Sequence, residues 1–168
     1  ERLSVTNIAQ FVDGEFSYEA WFGALRAGRS FATNGPMLFL DAAGYGPGEL
    51  LRYGMGEPQT LRGRVTASSR DDLAYVELVR DGEVVRRVDA EIGTTEAVLE
   101  FEETFTDSGW MAARCFERVA GNVRYAQTSP IYVFMGTDQS ASGTDAEYFL
   151  GIVDDQITQA SAGNLVTD

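Results

Sequence analysis

The sequence predicts a mainly β chain: an antiparallel two-sheet sandwich with a strand and a helix before it and a closing helix after it. Three observations carry that reading. Residues 60–68 alternate, with Leu61, Gly63, Val65 and Ala67 set against Thr60, Arg62, Arg64, Thr66 and Ser68, as in a strand with one buried and one wet face. The run YVELVRDGEVVRRV joins two β-branched stretches at Asp81-Gly82, a strong short-range signal for a two-residue hairpin turn. Finally, about seven such segments recur at roughly ten-residue spacing, the pattern of an immunoglobulin-like sandwich.

The elements follow in order. Leu3, Val5, Ile8, Phe11 and Val12, ending at Asp13-Gly14, read as a strand and loop with no visible pairing partner. Tyr18, Trp21, Phe22 and Leu25 fall on one helical face, with Ser17 placed as N-cap and Gly28 as the left-handed residue after the helix. Phe31 and Ala32 extend the chain into a tight Asn34-Gly35-Pro36 turn, whose first two residues tolerate positive φ. Met37–Ala42 is apolar enough for a buried strand. The glycines and prolines between Gly44 and Pro58 form a loop-rich crossing. No Gly-Lys-Ser/Thr and no helix pattern follow it, so the phosphate-loop reading fails.

Further strands are expected over Ala97–Phe105, where Leu99, Phe101 and Phe105 oppose Glu100 and Glu102, and over Gly109–Glu117. In the latter, Arg114 shares the phase of Trp110, Ala112 and Phe116, so it either snorkels to the sheet edge or pairs with a buried carboxylate. Asn122–Gln127 and Ile131–Phe134 form the expected last pair, interrupted at Thr128-Ser129-Pro130. The period then changes. Thr144 to Glu147 has the form of a capping box, and Ala146, Phe149, Leu150, Val153, Ile157 and Ala160 trace one helical stripe.

Composition narrows the function mainly by exclusion. The 168-residue chain carries a net charge of −13, so nucleic acid and anionic membrane surfaces are repelled. All 13 basic residues are arginine, and there is no histidine, which removes the usual self-contained zinc, serine-triad and imidazole-base sites. No apolar run is long enough to span a membrane. The single cysteine, Cys115, alternates with Met111 and Ala113, reads as a core thiol and leaves the compartment open. Asp138, Ser140, Ser142 and Gly143 imitate half of a calcium loop, but Phe149 stands where its bidentate carboxylate belongs. Asp71-Asp72, Glu102-Glu103 and Asp154-Asp155 are adjacent pairs; on a strand such neighbours point to opposite faces and make poor acid/base partners.

The run ALRAGRSFATNGPML, followed by Pro47-Gly48, resembles the carbaryl-hydrolase-like (CehA/McbA) branch of the PHP metallohydrolases, the polymerase and histidinol phosphatase superfamily. VELVRDGEVV at 76–85, SGWMAAR at 108–114, AQTSPIYV at 126–133 and AEYFLGIVDD at 146–155 follow in the same order. The resemblance implies that residues 1–36 end an upstream α/β barrel, that 37–137 form an accessory sandwich, and that 138–168 form a helix and tail packed on it. Opening on Glu1 rather than Met, the chain is expected to follow a segment removed upstream.

The same resemblance implies no catalytic or metal-binding residue in this segment. The parent barrel would hold the divalent metal, zinc, manganese or iron, and hydrolyse a phosphoester or an amide- or carbamate-type bond. Gln127 stands where relatives often carry His. Arg29, Thr33 and Asn34 match the motif near the barrel end and are candidate cleft or interdomain contacts, with Arg114 as a further candidate. The competing hypothesis is a stand-alone carbohydrate- or protein-binding sandwich, which an exposed cluster of Trp110, Tyr125 and Tyr132 would favour.

Overall fold

The computed structural model of the chain describes residues 7–10, 17–121, 123–136 and 143–161. Its centre is a two-sheet sandwich. Strands β3 (Met37–Ala42), β5 (Gln59–Ser68) and β8 (Glu96–Phe105) form the smaller, antiparallel sheet. Facing it is a larger sheet built on β9 (Gly109–Glu117). One edge of β9 pairs with β6 (Leu73–Arg80), which pairs in turn with β7 (Glu83–Asp89). Its other edge pairs with β10 (Tyr125–Thr128) near Arg114–Phe116 and with β11 (Ile131–Met135) near Gly109–Met111.

The expected last pair is therefore corrected. β10 and β11 do not pair with each other, because the chain breaks at Ser129-Pro130 and continues along the same side of β9. Pro130 lacks the N–H that an unbroken ladder would use. Three further strands extend the larger sheet. β2 (Ser30–Thr33) pairs with β10, β1 (Asn7–Gln10) pairs with β2, and β4 (Leu50–Tyr53) runs parallel to β11. The first strand thus has a partner that its sequence does not reveal, and the glycine-rich crossing conceals a short strand. β2 belongs to the sandwich, and its Phe31, 2% exposed, is part of the core.

Alternation produces that core. Leu38 and Leu40 of β3, Val65 of β5, and Leu99, Phe101 and Phe105 of β8 face Val76, Leu78, Met111, Cys115, Ile131 and Val133 of the larger sheet. Each such aliphatic or aromatic side chain contributes roughly 1.5–3 kcal/mol when fully buried. The hairpin turn forms as its sequence predicts, with Asp81 at φ 49 and Gly82 at φ 90, both in the left-handed region. Asp81 also accepts from the Trp110 backbone N–H at 2.8 Å, tying the hairpin to the start of β9.

Asn34-Gly35 behaves differently from its sequence reading. Neither residue has positive φ, and the turn carries the chain from one sheet to the other rather than closing a hairpin. Gly35 is needed for space: a Cβ there would lie 2.7 Å from a carboxylate oxygen of the buried Glu117.

Helix α1 (Tyr18–Arg26) forms where expected. The Ser17 side chain accepts from Ala20 N at 3.1 Å, and Gly28 terminates the helix at φ 71. Its apolar face, however, is not turned into this core. Tyr18 is 78% and Phe22 49% exposed, Trp21 and Leu25 are half-buried, and Ala24 is the buried residue. Helix α2 (Gly143–Ser161) likewise confirms the 3.6-residue period, yet all its side chains from 146 to 160 are exposed, so the stripe expected to pack on the sandwich lies uncovered. The first half of the calcium-like sequence, at 138–142, lies outside the described residues, as does the tail beyond 161.

The end of α1 meets the sandwich where two backbones cross. A Cβ on Gly48 would sit 2.6 Å from the Gly28 carbonyl carbon and closer still to the Ala27 carbonyl oxygen, while Gly48 N donates to Pro130 O at 2.8 Å. Gly48 and Gly44 both have φ +86, but nothing lies within 4 Å of a Cβ at Gly44. Gly44→Ala is therefore expected to cost only the left-handed penalty, about 1–2 kcal/mol. Gly48→Ala, adding a steric clash, is expected to cost clearly more, about 4 kcal/mol, as read from urea unfolding midpoints at unchanged slope.

Candidate functional site

The four residues singled out from sequence go to three different places. Thr33 and Asn34 are held in the turn between the sheets. Thr33 Oγ1 donates to Pro36 O at 2.5 Å and accepts from Gly35 N at 3.0 Å, closing the inter-sheet turn. The Asn34 side chain donates to Val123 O at 2.9 Å and accepts from Tyr125 N at 2.8 Å, so its amide imitates one more rung of the β2–β10 ladder.

Arg114 resolves its two alternatives in favour of pairing. Its Nε lies 2.6 Å from Glu77 Oε2 across the β6–β9 seam, and Arg87 Nη1 reaches Glu77 Oε1 at 3.2 Å from the other side. Glu77 is 4% exposed, so a carboxylate is buried on the outer face of the larger sheet between two arginines. Arg87 also lies 3.7 Å from the Tyr75 ring centroid and forks onto Asp89.

Two more buried carboxylates also face arginines. Glu103 shares the inward phase of Phe101 and Phe105; Arg86 Nη2 lies 2.8 Å from its Oε1 and Arg80 Nη1 3.9 Å from its Oε2. Oε1 nonetheless has no hydrogen-bond partner, so Arg86 meets it as a charge but off the hydrogen-bonding direction. Glu117 accepts from the Ser69 hydroxyl and faces Arg124 Nη1 at 3.5 Å. Exposed Glu102 differs again, bonding Arg62 at 2.6 Å, a hydrogen bond that lowers the Glu102 pKa and raises that of Arg62. Of the adjacent acidic pairs, Glu102-Glu103 separates as expected of a strand, Glu102 outward and Glu103 inward; Asp154-Asp155 lies in helix α2 and Asp71-Asp72 in the loop before β6. Asp71 goes to Arg124, and Asp72 accepts from Gly93 N.

The sequence signal for Glu103 was its parity with Leu99, Phe101 and Phe105. Glu77 had no such signal: the two-residue turn alone would set it opposite Arg86, and an irregularity between Leu78 and Val79 shifts the register by one and brings Arg87 there.

Arg29 is the candidate that reaches a cavity. An amphipathic cleft of about 440 Å³ is lined by Arg29, Phe39, Leu40, Asp41, Gly46, Pro47, Glu49, Arg64 and Thr66. It runs beside β3, between the outer face of the smaller sheet and the loop before β4. Glu49 is turned back on its own loop, accepting from Gly46 N at 2.5 Å.

The expected aromatic cluster splits in two. Trp110 is half-buried and lies opposite Tyr132, which is in turn opposite Leu50, making one row across β9, β11 and β4. Tyr125 stands apart, its ring 5.8 Å from that of Phe116, which is 4.9 Å from Tyr75. Gln127 is exposed and opposite Arg114 in register. Among the described residues, no group of three or more His, Cys, Asp or Glu side chains is placed to hold a metal ion, and no helix is long and apolar enough to cross a membrane.

No protein-family model and no curated protein matches this chain. Among solved structures, the fibronectin(III)-like modules of Clostridium thermocellum CbhA are similar at 17% identity, with a TM-score of 0.33, covering 60% of this chain and 99% of that one.

Two outcomes follow from the charge geometry. Arg114→Met leaves Arg87 beside Glu77 and is expected to cost about 1 kcal/mol. Adding Arg87→Met strands the carboxylate and raises the total to about 3 kcal/mol, a non-additive loss measurable by urea unfolding; both arginines are partly exposed, which keeps these values below those of a fully buried pair.

Burial pushes the Cys115 thiol up to about 12. At pH 8, a thiol-reactive disulfide reagent should therefore label the native chain only at its opening rate and the urea-unfolded chain within seconds. Because the folded value is the higher one, the stability linked to this group is complete below the unfolded thiol's value and falls as pH rises from about 9 toward 12.

Proposed function

We propose that this chain is a non-catalytic β-sandwich module that works by contact with other polypeptide. The observation carrying this reading is helix α1. Its C-terminal end is pinned by the Gly28–Gly48 crossing, while Tyr18 and Phe22 stay largely exposed. A helix anchored at one end, with outward aromatic side chains, suits a docking surface. The buried carboxylates support the same view, since arginines take up Glu77, Glu103 and Glu117 in bracing strands and loops.

In the form suggested by the sequence resemblance, the partner is a PHP-like metallohydrolase barrel earlier in the same polypeptide. That barrel would bind zinc, manganese or iron and act on phosphoester or amide- and carbamate-type bonds. This chain would pack against it and shape its mouth. A second reading, a carbohydrate- or protein-binding module that stands alone, draws on the Trp110–Tyr132–Leu50 row, where Tyr132 and Leu50 are 38% and 42% exposed.

The test has two arms. With zinc or manganese added, the chain alone is expected to hydrolyse neither p-nitrophenyl phosphate nor a naphthyl carbamate. In a polypeptide that includes the upstream sequence, amides of Tyr18–Arg26 are expected to exchange at least tenfold more slowly than in the chain alone. Tyr18→Ser with Phe22→Ser should return them to the faster rate without lowering the melting temperature. Turnover by the chain with stoichiometric bound metal would overturn the non-catalytic reading; unchanged exchange in the longer polypeptide would overturn the barrel-docking form.

A further inference from the structure

We infer that the open edge of β3 is a binding site for an extended peptide segment, which adds to the smaller sheet as a fourth strand. The inference rests on reading the chain as an interaction module, but it uses a different surface from α1. Strand β3 pairs with β5 and with no other strand among the described residues. The direction of its backbone groups follows from two contacts at its end. Ala43 N donates to Arg62 O, toward β5, at 2.8 Å. Ala42 points the opposite way, exchanging two backbone hydrogen bonds with Tyr45 at 2.9 and 3.0 Å. Groups alternate along a strand, so Leu38 and Leu40 direct their N–H and C=O to the same side as Ala42, away from β5.

At Ala42 that side is occupied by the chain's own Tyr45. Leu40, whose side chain is buried, is itself one of the residues lining the 440 Å³ cleft, a volume in the range of small-ligand sites. The chemistry left there is specific: a backbone donor and acceptor at strand spacing, which another extended backbone satisfies and a compact ligand does not. The remaining lining fits side chains that alternate from such a strand. Phe39, whose ring lies 6.1 Å from that of Phe31 yet stays 42% exposed, and Pro47 offer apolar surface on one side. Arg64 stands opposite Asp41 in the β3–β5 register, so this part of the lining carries both signs of charge. The occupant is accordingly a β-strand-forming segment of a protein partner, bearing an apolar side chain for Phe39 and Pro47.

Phage-displayed random linear dodecapeptides selected on the purified chain, then resynthesised, provide the probe. An enriched peptide is expected to slow Leu40 amide exchange at least tenfold. N-methylation at alternate peptide residues should abolish binding. Phe39→Lys and, separately, Arg64→Glu should each weaken it at least tenfold while leaving the melting temperature within a few degrees. Val98→Lys, on the far strand of the same sheet, should leave affinity unchanged.

Lack of enrichment, protection that maps away from β3, or full affinity in Phe39→Lys would overturn the proposal. Leu40 protection that grows with protein concentration in the absence of peptide would assign the edge to a second copy of the chain and also overturn it. Any of these results in a chain without hydrolytic turnover leaves the module reading standing, so the two failures are distinguishable.

Discussion

Strand β9 hydrogen-bonds along both of its edges, and every other strand of the larger sheet is attached through it. β7 reaches it through β6, β4 through β11, and β1 through β2 and β10. Its residues must therefore serve two faces at once. Met111, Ala113 and Cys115 point into the core, while Arg114 on the outer face takes hold of Glu77. A break in this one strand would disconnect the sandwich from its N-terminal arm as well as from the edge strands. The interruption at Ser129-Pro130 is tolerated because it falls between β10 and β11 and leaves β9 itself unbroken along its β6 side.

The charges follow the same logic. The chain is strongly acidic and all its cations are arginine, whose planar fork suits bracing of carboxylates. Glu77 sits within one sheet, Glu103 between the two sheets, and Glu117 where the inter-sheet turn meets the loop before β6. Each is a seam that hydrophobic packing alone leaves free to slide. Buried ion pairs contribute little net stability when set against apolar replacements, yet losing one partner is costly. These groups act as registers for strand pairing. That role accounts for the depth at which they are buried; the contact surfaces proposed above, at α1, at the Trp110–Tyr132 row and along β3, are built from other residues.

How much of this was legible in the sequence depended on how local its cause was. The β6–β7 hairpin, the Ser17 and Gly28 caps and the alternation of β5 and β8 are set by neighbouring residues, and each was readable. The sandwich architecture followed from their number and spacing. What the sequence concealed was long-range. β1 finds its partner only through β2, and the pairing of β10 and β11 with β9 depends on a break whose consequence lies in another strand. Asn34-Gly35 looked like a turn that uses positive φ; the glycine is required instead by Glu117, more than eighty residues away. The helical stripes of α1 and α2 were recognisable from their period, but periodicity says that a face is apolar and not what covers it. Among the candidate site residues, Arg114 announced by its phase that it shares the half-buried outer face with Trp110 and Phe116. Nothing local distinguished the cavity-lining Arg29 from Thr33 and Asn34 in the turn between the sheets.

Residue-resolved native-state hydrogen exchange across a urea series tests the central role of β9 most directly. If β9 organises the larger sheet, the amides of Met111–Glu117 and their β6 partners exchange only through global unfolding, at the highest opening free energy in the chain, while β1, β4 and β7 open at lower energies. Exchange of β9 in a lower-energy unit that separates from β6, with β3, β5 and β8 still protected, would contradict the account.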